Sequence, residues 1–183
     1  MQTLLASALS GDRSSLARLL SHIERDPSAE TEIRAGLAST ETESVVIGVT
    51  GPPGAGKSSL ISALLPHTTK SFGRTAVLAV DPSSPFSGGA LLGDRVRMQS
   101  HGLGDRVNIR SMASKGESGG LARAASTAIQ VLAACGWPLI LVETLGIGQV
   151  ELDVMDLATV LAVVLNPGWG DTFQAKKAGL TEA

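Results

Sequence analysis

The chain has 183 residues, of which 43% are hydrophobic and 17% charged; 15 basic and 17 acidic residues leave a formal net charge of -2. That length suits one domain with a sizeable buried core, and a near-balanced charge without a basic block argues against nucleic acid as a partner. The single cysteine, Cys135, excludes an internal disulfide and a thiolate metal cluster and suits a reducing compartment.

Met1 to Ser10 contains leucines but no basic n-region, and Asp12 and Arg13 follow at once, so a secretory leader is not expected. No apolar run approaches bilayer length, the longest being stretches such as Leu139 to Val142 and Val160 to Leu165. A cytoplasmic protein with no membrane contact is expected. Residues 12 to 24 place Leu16, Leu19, Leu20 and Ile23 on one face, which predicts an amphipathic helix closed by Asp26-Pro27. A second helix is expected over Glu30 to Leu37, then a polar linker, Ala38 to Glu43. The chain so divides into a helical extension with linker, 1–43, and a core, 44–183.

The core opens with Val45-Val46-Ile47-Gly48-Val49-Thr50, a β-branched apolar run that predicts a buried parallel strand. Gly51-Pro52-Pro53-Gly54-Ala55-Gly56-Lys57-Ser58 follows at once and matches the phosphate-binding pattern GxxxxGK[ST]. Leu60, Ile61, Leu64 and Leu65 then recur at helical spacing until Pro66, where the helix is expected to stop. Strand, loop and helix in that order aim backbone N–H groups and the positive helix end at one point, where a β-phosphate can sit. Pro52 and Pro53 have no N–H, so the donors must come from Gly54 onward. The residues expected at the nucleotide are Gly51, Gly54, Ala55, Gly56, Lys57, Ser58 and Ser59. Lys57 would supply charge to the β- and γ-phosphates and the Ser58 hydroxyl a ligand to magnesium. The bland alternative is a glycine turn ahead of a helix; the presence of both flanking elements favours the nucleotide site.

Thr75 to Val80 reads as a second strand that ends in Asp81-Pro82, at the carboxyl edge where open α/β sheets bind ligands. The alternative for Asp81 is a turn-former. Phe86 to Arg95 is glycine-rich with apolar anchors and suits a switching loop. A short third strand is expected over Val107 to Arg110, a helix over Leu121 to Cys135 that Gly136 terminates, and a fourth strand over Leu139 to Val142 with Glu143 just beyond it. Cys135 itself reads as core filler. Two strand ends thus place acids, Asp81 and Glu143, near one edge, as a magnesium-nucleotide site requires. A helical stretch from Glu151 to Leu157, a fifth strand from Thr159 to Leu165, a turn-rich loop from Asn166 to Asp171 and a helix over Thr172 to Ala178 complete the expectation. The fold class is α/β with a mostly parallel sheet.

In order, GPPGAGKSS, VDPSSPFSGGALLGDRVRM, IRSMASKGESGGLA, ETLGIGQVE and NPGWGDTFQAKKAGL resemble the MeaB/ArgK family of GTPases, chaperones of adenosylcobalamin-dependent methylmalonyl-CoA mutase once described as transport-system ATPases. The resemblance spans about residues 10 to 180 and implies a three-layer P-loop NTPase fold carrying an N-terminal helical extension. It further implies GTP as substrate, Mg2+ as cofactor, and a mutase of that type as partner, with a homodimer in a longer form. Acids matching Asp81, Asp94 and Glu143 would surround the magnesium with Ser58, and Lys57, Asp94 and Glu143 would carry the catalytic roles. Asp94 falls in the first switch, the backbone N–H of Gly146 meets the γ-phosphate, and Glu143 orients water or holds magnesium through water. The third mobile loop matches Asn166 to Lys177 and relays nucleotide state to the mutase. The plainer readings are a salt bridge from Asp94 to Arg95 or Arg97, and a buried ion pair for Glu143. With no arginine finger evident, hydrolysis is expected to be slow until a partner completes the site.

Leu145, Ile147 and Val150 stand where the family usually has valine, valine and serine, and Lys115 and Glu117 where arginine and histidine are usual. The guanine-reading NKxD element does not occur in the chain. An ATP-dependent kinase using Asp81 as base, or a non-catalytic nucleotide- or partner-binding module, therefore stand as alternatives.

Overall fold

The computed structural model describes residues 1–37, 43–81, 104–113, 120–144 and 156–166. Each apolar run of the core becomes a strand: β1 (Val45–Thr50), β2 (Thr75–Asp81), β3 (Val107–Ala113), β4 (Leu139–Thr144) and β5 (Val160–Val163). They form one sheet in the order β3-β2-β4-β1-β5, and every pairing is parallel. Parallel strands need helical crossovers, which cover the sheet on both faces and bury its central strands, while β5 at the edge stays largely exposed. β4 shows this best, with all six residues buried.

Alternation along the strands divides the core in two. On one face α4 (Lys57–Phe72) lays Ile61 and Leu65 over Val49, Val77, Leu139 and Leu141. On the other, α5 (Gly120–Ala134) packs Ala125, Ala128 and Leu132 over Leu78, Val80, Ile140 and Val142. The second face is shared with the N-terminal helices α1 (Gln2–Leu9), α2 (Arg13–Arg25) and α3 (Pro27–Leu37). Leu16, Leu19, Leu20, Ile23 and Ile33 belong to the same buried cluster as the sheet residues, so the first helices are continuous with its core. Each such side chain contributes about 1.5–3 kcal/mol by burial. Polar contacts fasten α2 to the β3 edge: Arg13 donates to Asp105 and to the Val107 carbonyl, and Arg110 donates to Glu24.

Several boundaries differ from the sequence expectation; β3 runs to Ala113 where Arg110 is expected to end it, and β5 is confined to Val160–Val163. α1 was not expected; its Leu5 and Ala8 are buried against the other helices. α3 starts at Pro27, not Glu30, because proline suits a first helical position and Asp26 caps the end by accepting from the Ser28 N–H at 2.9 Å. α4 continues through Pro66 to Phe72, where Gly73 (φ 78°) ends it. The exposed Pro66 ring faces solvent, the Thr69 hydroxyl donates to Leu65 O at 2.7 Å, and buried Thr69 extends the packed face past the proline. Lastly, β4 runs through Glu143 and Thr144, so that acid is the penultimate residue of a strand. α5 ends as expected, with Gly136 (φ 76°) just beyond it and Cys135 buried, its thiol pushed up to about 11 by desolvation. Below it the Arg74 guanidinium sits 4.1 Å over the buried Trp137 ring. The expected helices over 151–157 and 172–178 fall wholly or mainly outside the described residues.

Candidate functional site

The site lies where β1 gives way to α4. Gly51 to Gly56 turn the chain through positive φ at Gly51 (144°), Gly54 (76°) and Gly56 (92°), conformations that cost glycine little. Their surroundings distinguish their purposes. A Cβ on Gly51 would lie 2.2 Å from the Val164 carbonyl oxygen, whereas one on Gly54 or Gly56 would have nothing within 4 Å. Gly51 therefore permits the loop to pass the chain leaving β5, and Gly54 and Gly56 border open space. The Ala55 N–H donates to Pro52 O at 3.2 Å, a turn that rounds the loop. Gly56 caps α4 in the left-handed conformation without a side-chain bond, so the first-turn amides of α4 face outward.

Two polar side chains of α4's first turn point into this region. Lys57 is 4% exposed, and its Nζ donates to the carbonyl oxygens of Gly51 at 2.8 Å and Pro52 at 3.0 Å. Burial lowers its pKa and the neighbouring Glu143 carboxylate partly offsets this. The Ser58 hydroxyl donates to Glu143 Oε1 at 2.6 Å, a length typical of a hydroxyl bonded to a carboxylate. Glu143 is 2% exposed and is brought here by register, since β4 pairs with β1 through Val49↔Glu143. Behind it the Thr144 hydroxyl donates to Thr50 Oγ1 at 3.2 Å, both residues being buried. Sequence reasoning passed over these two threonines; the available signal was a polar residue at the end of each apolar strand.

Asp81 ends β2, two positions beyond Ala79, the β2 partner of Glu143. The two acids therefore occupy the same end of adjacent strands. Ser59 lies exposed on the first turn of α4, beside Ser58. Asp94 and Gly146 lie outside the described residues, as do the switching loop and Lys177. Magnesium takes hard oxygen ligands and shares its shell with water and substrate phosphate. The Ser58 hydroxyl and Glu143 carboxylate are such donors, side by side.

A parallel sheet, a glycine loop leaving its central region and a Lys-Ser pair opening the next helix define an α/β P-loop nucleotide-binding domain. The model of one family, the methylmalonyl Co-A mutase-associated GTPase MeaB, matches residues 16–183, and the chain belongs to that family. It is 48% identical over 172 residues to a Pyrococcus abyssi protein provisionally named a GTPase, covering 94% of this chain and 53% of that one. It is 33% identical over 197 residues to the mitochondrial methylmalonic aciduria type A homolog of Caenorhabditis elegans, covering 100% and 49%. Among solved structures, a LAO/AO transport system kinase superimposes with a TM-score of 0.67 at 26% identity, over 89% of this chain and 49% of that one. The signal recognition particle receptor FtsY of Elizabethkingia anophelis, with a TM-score of 0.51 and 20% identity over 96% and 64%, shares the fold alone. The chain spans about half the length of the relatives it matches. The family and fold inferred from the motifs are thereby borne out. Among the described residues no helix is long and apolar enough to cross a membrane.

Proposed function

We propose that this chain forms the nucleotide site of a magnesium-dependent GTPase that serves as chaperone to an adenosylcobalamin-dependent acyl-CoA mutase of the methylmalonyl-CoA type. The observation that carries this reading is the 2.6 Å contact between Ser58, behind the glycine loop, and Glu143, at the end of β4. Backbone amides from Gly54 to Ser59 cradle the phosphates, and Gly51 lets the turn form. Lys57 exchanges the carbonyls of Gly51 and Pro52 for β- and γ-phosphate oxygens, which reward its charge more strongly. Ser58, Asp81, Asp94 and Glu143 would hold magnesium, which would supply charge neutralisation at the phosphates. Glu143 orients the attacking water or holds magnesium through water, Asp94 stands beside the γ-phosphate in the first switch, and the Gly146 N–H meets the γ-phosphate oxygen. Catalysis by positioning and charge neutralisation leaves room for a partner to complete the site. The MeaB family's name and the likeness to a methylmalonic aciduria type A homolog support the mutase as that partner. The working arrangement is a cytoplasmic protein with residues 1–43 as helical extension and 44–183 as GTPase core, dimeric in a longer form.

The test is calorimetric titration of the chain with GTP and with ATP, with and without magnesium, beside Lys57→Ala, followed by phosphate release with and without the mutase. Tighter binding of GTP, lost in Lys57→Ala, and faster release with mutase are expected. Equal binding of both nucleotides would overturn the guanine preference. Unchanged turnover on adding mutase would overturn the coupling, and a phosphorylated acceptor formed from ATP would replace the GTPase with a kinase.

A further inference from the structure

The strands that carry the two halves of the site lie side by side up to their last residues. β1 and β4 are paired from Val45↔Leu139 to Val49↔Glu143, and the next position in that register is Thr50 opposite Thr144. On their outer sides both threonines remain in the sheet, Thr50 against Val163 of β5 and Thr144 against Val80 of β2. Towards each other their side chains also meet, Thr144 Oγ1 donating to Thr50 Oγ1 at 3.2 Å with both residues buried. A buried hydroxyl that finds a partner avoids the desolvation cost of an unmade hydrogen bond.

This bond lies where it can aim the site. Thr50 precedes Gly51, so it fixes where the glycine loop departs and hence where Ser58 stands. Its carbonyl also accepts from the Val164 N–H at 2.8 Å, and the Gly51 Cα packs against the Val164 carbonyl. Thr144 follows Glu143, and successive strand residues point to opposite faces. Anchoring Thr144 on one face therefore sets the direction of Glu143 on the other, towards the Ser58 hydroxyl at 2.6 Å.

We propose that the Thr50–Thr144 hydroxyl pair is a positioning device that holds Glu143 in register with Ser58 and so sets how well the site takes up a divalent cation. The cation half of this statement rests on the proposed GTPase reading; the positional half does not. Valine in place of either threonine removes a hydroxyl and keeps the strand backbone paired on its outer side, so the phosphate-binding amides should stay in place.

The experiment uses the 183-residue chain carrying Thr144→Val, Thr50→Val or both, with Thr144→Ser as the conservative variant, and two readouts. The first is the magnesium concentration that half-saturates the gain in GTP affinity, measured by calorimetry. Each valine variant should raise it about fivefold, the size of one hydrogen bond. The double variant should add nothing to either single one, Thr144→Ser should restore the native value, and metal-free GTP affinity should hold. The second readout needs no ligand: the shift in urea midpoint caused by Ser58→Ala, in the native and Thr50→Val backgrounds. That shift should shrink by about half or more when the threonine pair is broken, because the Ser58–Glu143 bond is then poorly aimed. Equal Ser58→Ala shifts in both backgrounds would overturn the positional role. Reduced shifts with unchanged magnesium dependence would overturn only its link to the cation. A native chain that binds no GTP at all would count against the GTPase reading and leave the urea measurement to decide this one.

Discussion

The Ser58 hydroxyl and the Glu143 carboxylate, 85 positions apart in the chain, meet at 2.6 Å behind the phosphate loop, Glu143 buried and Ser58 partly so. Glu143→Gln keeps the shape of this contact and deletes the charge. We expect GTP to bind this variant with a much weaker magnesium dependence, and turnover to fall by about 10²–10³, the usual cost of losing one group that acts on developing charge. Parallel binding and phosphate-release assays check it. Turnover within a factor of two of the native value would remove Glu143 from the catalytic set.

Lys57 is a buried cation in the ligand-free chain. Burial lowers its pKa, so the unfolded chain holds the proton more tightly than the folded one between the lowered value and 10.5, and stability from this group rises with pH through that window. Lys57→Met removes the buried charge while keeping most of the volume. The urea midpoint of the variant should match or exceed the native one near neutral pH, while GTP affinity falls by about 100-fold or more, as loss of a charge-assisted phosphate contact implies.

Gly51 and Gly54 both have positive φ, yet their substitution by alanine should differ sharply. At Gly54 a methyl enters open space, and the expected cost is the backbone strain alone, about 1 kcal/mol. At Gly51 it meets the Val164 carbonyl at 2.2 Å, so β5 or the loop must shift; we expect a loss of at least about 2–3 kcal/mol. Urea denaturation of the two variants side by side tests this. Equal costs would mean that β5 yields without penalty.

Removal of residues 1–43 strips Leu16, Leu19, Leu20, Ile23 and Ile33 from the cluster that covers one face of the sheet. The shortened chain should be insoluble or bind a hydrophobic dye strongly, with lost near-ultraviolet dichroism from Trp137. A monomeric, cooperatively folding 44–183 fragment would show instead that α5 alone suffices on that face.

Cys135 offers a reporter of the same core. Its thiol, pushed up to about 11 by desolvation, stays protonated where an unfolded thiol of 9.0 has ionised. The folded state thus holds the proton longer, and stability from this group is lost as pH rises from about 9 to 11, by about 2–3 kcal/mol in all. Alkylation at pH 8 should be slow in the native chain and fast in urea.

How much of this was open to sequence reasoning depends on the range of the forces involved. β1, the glycine loop and the start of α4 were legible because strand propensity, positive-φ glycines and helix periodicity are local. Glu143 was legible as an acid after an apolar run, but not as a strand residue, since only pairing with Val49 and Ala79 extends β4 that far. Pro66 misled because its local cost was outweighed by packing on both sides of it, through Leu65 and Thr69. The Thr50–Thr144 bond is marked locally only by a polar residue at the end of each apolar strand; that these two meet follows from strands distant in sequence lying side by side, which no period or motif states.

The strand order carries a consequence for how the chain is made. β1 and β2 leave the ribosome early, but they do not pair with each other; β4 lies between them and is the bridge that joins them into one sheet. The phosphate loop is therefore synthesised long before the strand that anchors its base and delivers its acid. A nascent chain that stops short of Leu139 holds every letter of the nucleotide motif and nothing to brace it against. Competence for nucleotide should then arise abruptly, with the insertion of one six-residue strand, and not grow with chain length.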